Sequence, residues 1–200
     1  FYQLLKHGNI DIDDSSEPGI VWPEQNAIQK HIISCVSMSC IDLNRIQKRK
    51  FKIVIDSVNG AGSNALPSLL ESLGCEVFEL YCEPDGNFSR GTEPLPENLK
   101  DLGEKVLEYG ADAGFAIDPD ADRLAIVNEM GEPLGEEYTL VIAADGYLKD
   151  TGRKEKFVIN LSTSQALEKL AELYNSSVTR SAVGEINVVN KMIELNSELG

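Results

Sequence analysis

The sequence is short of cations: 18 Lys and Arg stand against 33 Asp and Glu, with only two His, for a net charge of −15. A nucleic-acid binder generally needs a basic surface to meet phosphates, so this balance argues against one. It leaves room for a small anionic substrate, which a local cluster of Arg, Lys and a metal can hold inside an acidic protein. No apolar run approaches the roughly 18–20 residues of a membrane span. Nothing at the start reads as a signal peptide, and the expected setting is cytoplasmic, with no membrane partner. Cys35, Cys40, Cys75 and Cys82 form no Cys-x-x-Cys pair and no zinc spacing, so four reduced, half-buried thiols are expected. The single Trp, Trp22, reads as a packing residue within Ile20-Val21-Trp22, the one apolar anchor of an otherwise polar connection at 8–26.

What is present is an ordinary globular composition. Of 200 residues, 42% are hydrophobic and 26% charged, enough for one good-sized domain or two small ones. The start, a helix-like Phe1-Tyr2-Gln3-Leu4-Leu5-Lys6-His7 followed by Gly8, reads as the middle of a longer protein. Ile28, Ile32, Cys35, Val36 and Ile41 fall at helical spacing across 27–47, with an interruption near Cys40. The basic run from Arg45 to Lys52 reads as a solvated helix end whose cations complement the helix dipole.

Strands and helices then alternate. Strands are predicted at 52–56, 76–81, 113–117 and 124–127, and helices at 61–73, 97–109 and 137–149, with Gly74 and Gly110 as stop signals. After a linker-like Asp150-Thr151-Gly152-Arg153 the pattern restarts, with strands at 157–161 and 177–180 and helices at 164–174 and 187–195. The pattern predicts an α/β fold: a mixed, mainly parallel sheet with covering helices, then a second unit that the chain cuts short.

The sharpest motif is Asp118-Pro119-Asp120-Ala121-Asp122-Arg123 between two apolar strands. Three carboxylates at alternate positions can converge on one cation, and oxygen donors suit a hard ion such as Mg2+. Arg123 offers a planar fork of donors matching phosphate oxygens. An EF-hand loop is excluded, because its sixth position must be Gly and here is Arg123. An exposed acidic loop that binds nothing is the plain alternative, and would leave a non-catalytic domain. A second motif, Gly60-Ala61-Gly62-Ser63-Asn64-Ala65, fits the Gly-x-Gly-x-x-Ala fingerprint, with Glu79 or Glu83 near the distance of a ribose contact. It carries a rival reading as a dinucleotide-binding module. A tight strand-to-helix turn of small residues accounts for it as well.

Several segments, in order, resemble the α-D-phosphohexomutases: phosphoglucomutase, phosphomannomutase and phosphoglucosamine mutase. They are Val54–Gly62, Pro84–Phe88, Glu93–Leu99, Ala111–Ile117, the aspartate loop, Gly135–Tyr138 and Val183–Val188. The resemblance implies residues 1–48 as the tail of a first domain and its linker helix, 50–152 as a complete second domain, and 154–200 as a truncated third. It implies Mg2+ as cofactor, with Asp118, Asp120 and Asp122 as ligands and Arg123 against a phosphate. It also implies a phosphoserine that exchanges its phosphoryl group with a hexose or hexosamine phosphate through a bisphosphate. That serine, the sugar loop and the phosphate clamp are absent from this sequence, so the missing domains are expected partners and the chain alone is expected to be inactive. Ser89–Pro94 imitates the clamp but, by its position and the inserted Arg90, belongs to the second domain. Glu185 stands where some relatives carry an acid–base His, and is a candidate general base. Three segments, Glu93–Leu99, Gly135–Tyr138 and Val183–Val188, look closest to the phosphoglucosamine mutase and phosphomannomutase branch, with phosphoglucomutase as the alternative.

Overall fold

The computed structural model describes Lys6, residues 19–197 and Leu199. The rest of the helix-like stretch at 1–7, and the connection up to residue 18, lie outside the described residues. Ile20, Val21 and Trp22, expected as an apolar anchor, are instead 73%, 90% and 80% exposed. They sit in a segment without regular structure that no described residue covers.

Helical spacing across 27–47 resolves into two helices, α1 (Ala27–Val36) and α2 (Leu43–Arg49). The chain breaks between them, and the Asp42 carboxylate caps α2 by accepting the Arg45 N–H at 3.0 Å. Lys48 and Arg49 occupy its last turn, and Lys50 ends it in the left-handed conformation.

Strands β1 (Lys52–Asp56), β2 (Glu76–Leu80), β3 (Ala113–Ile117) and β4 (Leu124–Val127) form one sheet in the order β2-β1-β3-β4. β1 runs parallel to β2 and β3, and β4 is antiparallel to β3. β1 is central, which is why Ile53, Val54 and Ile55 are all apolar: alternate side chains enter opposite cores. Val54 packs with Leu99, Leu102 and Val106 at helix α4 (Lys100–Tyr109). Ile53 and Ile55 pack with Leu70 of α3 (Ala65–Ser72). The result is a helix–sheet–helix sandwich.

A second sheet pairs β5 (Lys156–Asn160) with β6 (Ser177–Ser181) in parallel. α5 (Glu137–Thr151), α6 (Ala166–Leu173) and α7 (Glu185–Leu195) accompany it. Ala144 and Leu148 of α5 share a core with Phe157, Ile159, Leu167 and Ala171. Helix 137–149 therefore buries its apolar face on the second sheet, although the sequence placed it within the 50–152 unit. The hydrophobic cores divide in the turn-rich stretch after β4. Among the described residues two side-chain bonds cross the divide: the Thr139 hydroxyl donates to the Leu124 carbonyl at 2.6 Å, and Arg45 Nη1 donates to Asp150 Oδ1 at 3.0 Å. All four cysteines are free, with Cys40 exposed and the others half-buried. Among the described residues no helix is long and apolar enough to cross a membrane.

Candidate metal and phosphate site

The aspartate loop leaves the C-terminal end of β3, where ligand sites of parallel sheets are commonly built. Asp118 is 5% exposed and organises the loop itself. Its carbonyl accepts the Ala121 N–H at 3.1 Å, and its Oδ1 accepts the N–H groups of Asp122 at 3.0 Å and Arg123 at 3.1 Å. The reversal needs a left-handed residue, and Ala121 takes that conformation with φ +63°. This brings carboxylate oxygens of Asp118, Asp120 and Asp122 within 4.8 Å of one another, with Asp120 and Asp122 exposed.

Charge is unevenly compensated there. Burial pushes the Asp118 carboxyl up, but hydrogen bonds from the Arg123 N–H and the loop outweigh it and hold the group low. Asp122 is pushed up, first by its hydrogen bond with Asp118 and then by the charges of Asp118 and Asp120. The Arg123 Nε lies 3.7 Å from Asp118 Oδ2 and 3.8 Å from Asp122 Oδ1, and its Nη1 is 3.3 Å from Glu93 Oε1. One guanidinium facing three loop carboxylates and Glu93 leaves an excess of negative charge. A bound cation relieves that excess, and a purely oxygen donor set fits a hard divalent ion. The Arg123 side chain is 44% exposed, and among the described residues its one side-chain hydrogen bond is that to Glu93, which leaves most of the fork open to an anion.

The strand-to-helix turn after β1 is the floor of this site. Ala61 N–H donates to the Pro119 carbonyl at 2.8 Å. A Cβ at Gly60 would stand 2.6 Å from the Pro119 oxygen, and one at Gly62 would collide with the Ile117 side chain. These glycines admit the aspartate loop. The same contact weighs against the dinucleotide reading, because the Ala61 N–H, one of the turn donors a pyrophosphate would use, is already taken by the Pro119 carbonyl. The turn is also strained: Val58, fully buried and β-branched, has φ +48°, and Asn59 follows at φ +56°. Asn59 repays its conformation by tying down the next loop. Its Nδ2 donates to the Asn87 carbonyl at 3.0 Å and the Ser89 hydroxyl at 2.9 Å, and its Oδ1 accepts the Glu83 N–H at 3.1 Å.

Glu185 is the first residue of α7 and is exposed, beside the second sheet. The structure gathers Asp118, Asp120, Asp122 and Arg123, and among the described residues Glu185 shares no hydrogen bond or ion pair with them. Reading the sequence missed Asp56, Arg90, Asn59 and Glu93. Asp56 carried a usable signal, since a carboxylate ending a buried apolar strand needs a partner.

A family model described as phosphoglucomutase/phosphomannomutase, alpha/beta/alpha domain II, matches residues 29–131, and the domain III model matches 135–200. The chain belongs to the phosphoglucomutase/phosphomannomutase family. A phosphoglucomutase/phosphomannomutase of Thermococcus kodakarensis is 38% identical over 161 residues, 80% of this chain and 35% of that protein. A probable phosphoglucosamine mutase of Methanopyrus kandleri is 32% identical over 187 residues, 93% of this chain and 40% of the relative. The chain thus spans well under half the length of these relatives. A family structure from Burkholderia thailandensis superposes with TM-score 0.66 at 26% identity, covering 78% of this chain and 35% of that one. A putative phosphomannomutase structure from Thermus thermophilus shares the fold with TM-score 0.71 at 23% identity, covering 86% of this chain and 39% of its own. In this phosphohexomutase family, the two matched domains meet between residues 131 and 135, in the same stretch where the two hydrophobic cores divide.

Proposed function

We propose that these residues form part of a Mg2+-dependent phosphosugar mutase, which moves phosphate between C1 and C6 of a hexose or hexosamine phosphate. The convergence of Asp118, Asp120 and Asp122 beside Arg123 is the observation that carries this reading. The three aspartates would hold the ion, which when bound would neutralise charge on the transferring phosphoryl group. Asp118 fixes the loop through its backbone bonds, and Asp120 and Asp122 present oxygens outward. Arg123, released from Glu93, would clamp a phosphate oxygen pair with its fork. The phosphoserine, sugar loop and phosphate clamp of the scheme would come from outside these residues, and so would the general base if Glu185 does not supply it. Among substrates, the phosphoglucosamine and phosphomannose branch is preferred, from Glu93–Leu99, Gly135–Tyr138 and Val183–Val188.

The test is a mutase assay on the full-length protein with Mg2+ and a trace of hexose bisphosphate. Glucosamine 1-phosphate, mannose 1-phosphate and glucose 1-phosphate are compared, with Asp120→Asn as control. Conversion of one sugar that vanishes in Asp120→Asn supports the reading. A folded, serine-phosphorylated protein that converts none of them sinks it.

A further inference from the structure

Arg90 lies in the loop 83–96, apart from the aspartate loop in sequence, yet its side chain is only 6% exposed and that of Asp56 1%. Its Nε donates to Asp56 Oδ2 at 2.6 Å, its Nη2 to the Ile117 carbonyl at 2.7 Å, and its Nη1 to the Gly91 carbonyl at 2.9 Å. Asp56 Oδ1 in turn accepts the Val58 N–H at 2.9 Å. Asp56 and Ile117 are the last residues of the neighbouring parallel strands β1 and β3. After Asp56 the chain turns towards β2, where the Ser57 N–H donates to Leu80. The Ile117 carbonyl therefore loses a continuing strand as partner, and the Arg90 guanidinium takes that place. Ile117 immediately precedes Asp118.

We propose that Arg90 is a positioning residue for the metal centre: by clamping the Asp56 carboxylate and the Ile117 carbonyl in one guanidinium plane, it sets the direction in which Asp118 leaves β3. This rests on the aspartate loop being a metal site, as argued above. Arg90 touches neither the ion nor the substrate. Its role needs the fork geometry of Arg, since an ammonium satisfies the charge of Asp56 without holding the carbonyl in plane. Partners one step removed from metal ligands commonly change metal affinity by about 10–100-fold when removed.

The experiment measures Mn2+ binding to the full-length protein by electron paramagnetic resonance and calorimetry, below the melting range of every variant. The variants are Arg90→Gln, Arg90→Lys, Asp120→Asn, and Leu70→Ala as a core-destabilised control. Arg90→Gln is expected to weaken Mn2+ affinity by about tenfold or more and to alter the bound-ion spectrum. Arg90→Lys is expected to recover part of the melting temperature but not the affinity or the spectrum. Leu70→Ala is expected to lose melting temperature and keep both. Native affinity and spectrum in the two Arg90 variants, with only stability lowered, would overturn the proposal, as would an equal loss in Leu70→Ala. If Arg90→Gln does not fold, Arg90→Lys decides alone. Binding by Asp120→Asn as tight as by the unaltered protein would instead overturn the metal reading, and this proposal with it.

Discussion

Gly60 and Pro119 touch backbone to backbone: the Pro119 oxygen lies 2.6 Å from where a Gly60 Cβ would be, and accepts the Ala61 N–H at 2.8 Å. Neither partner can yield without moving the turn or the aspartate loop. Gly60→Ala is therefore expected to cost about 1–3 kcal/mol, the usual range for forced overpacking. It should also diminish the Mg2+-dependent rise in melting temperature. Gly146→Ala is the counterpart. No atom lies within 4 Å of a Cβ there and the residue is inside α5, so a gain of about 0.5–1 kcal/mol is expected. Thermal melts of the two variants, with and without Mg2+, check both signs. Equal behaviour would remove the contact as an explanation for the glycine.

Ala121 makes the loop reversal at φ +63° while exposed to solvent. A left-handed L-residue costs about 1–2 kcal/mol, and glycine returns roughly 0.4–1 kcal/mol of that through its freer unfolded chain. Ala121→Gly should thus be neutral to stabilising, by up to about 1.5 kcal/mol. Ala121→Val should destabilise, because a β-branched side chain tolerates this region least. Denaturant melts without added metal measure this directly. A Gly variant clearly less stable than Ala would show that the conformation carries no strain.

Local pattern made much of this fold legible. The apolar run at 53–55 announced a strand buried on both faces, and Gly74 and Gly110 announced helix ends that the structure keeps in left-handed conformation. The three aspartates were legible because their chemistry lies within five consecutive residues. Arg90 and Asp56 were not, because 34 residues separate them and the fold of the loop after β2 across the end of β1 brings them together. The core that α5 joins was not legible for a related reason. The Asp150–Arg153 stretch resembles a linker, but what decides membership is which sheet covers Ala144 and Leu148, and a periodic pattern does not name its partner.

Tyr81 gives a pH signature of the first unit. Its hydroxyl donates to Asp101 Oδ2 at 2.6 Å. That bond first, then burial and the Asp101 charge, push the phenol up to about 12. A phenol raised above its unfolded value binds its proton more tightly when folded. Its contribution to stability is therefore complete below the unfolded value, roughly pH 10. It is lost as pH rises towards the folded value of about 12. Ultraviolet titration should show the Tyr81 tyrosinate appearing late, and Tyr81→Phe should remove that component of the late rise. Tyr174, raised by its hydrogen bond to Asp145, should also be delayed. Tyr81→Phe should cost about 1 kcal/mol near neutrality, the usual net worth of one hydrogen bond. A titration in which Tyr81→Phe leaves the amplitude of the late rise unchanged would contradict the assignment.

Asp118 and Asp120 are both placed in the triad, yet they should fail differently. Asp118 is buried, with Oδ1 accepting two backbone N–H groups. Asn can keep that acceptor, whereas Ala leaves two N–H groups without it. Asp118→Ala should therefore cost about 1–3 kcal/mol without any metal, and Asp118→Asn much less. Asp120 is exposed, so its removal leaves no buried donor stranded and relieves repulsion from its neighbours. Asp120→Asn should be as stable as the unaltered chain, or slightly more so, when Mg2+ is absent. With metal the order reverses. An ion at 100 times its dissociation constant stabilises its protein by about 2.7 kcal/mol, and neither Asp118→Asn nor Asp120→Asn should gain that increment. Melts across a Mg2+ series separate loop architecture from ion affinity. The metal assignment stands only if the unaltered protein alone climbs with Mg2+ while Asp120→Asn starts level with it.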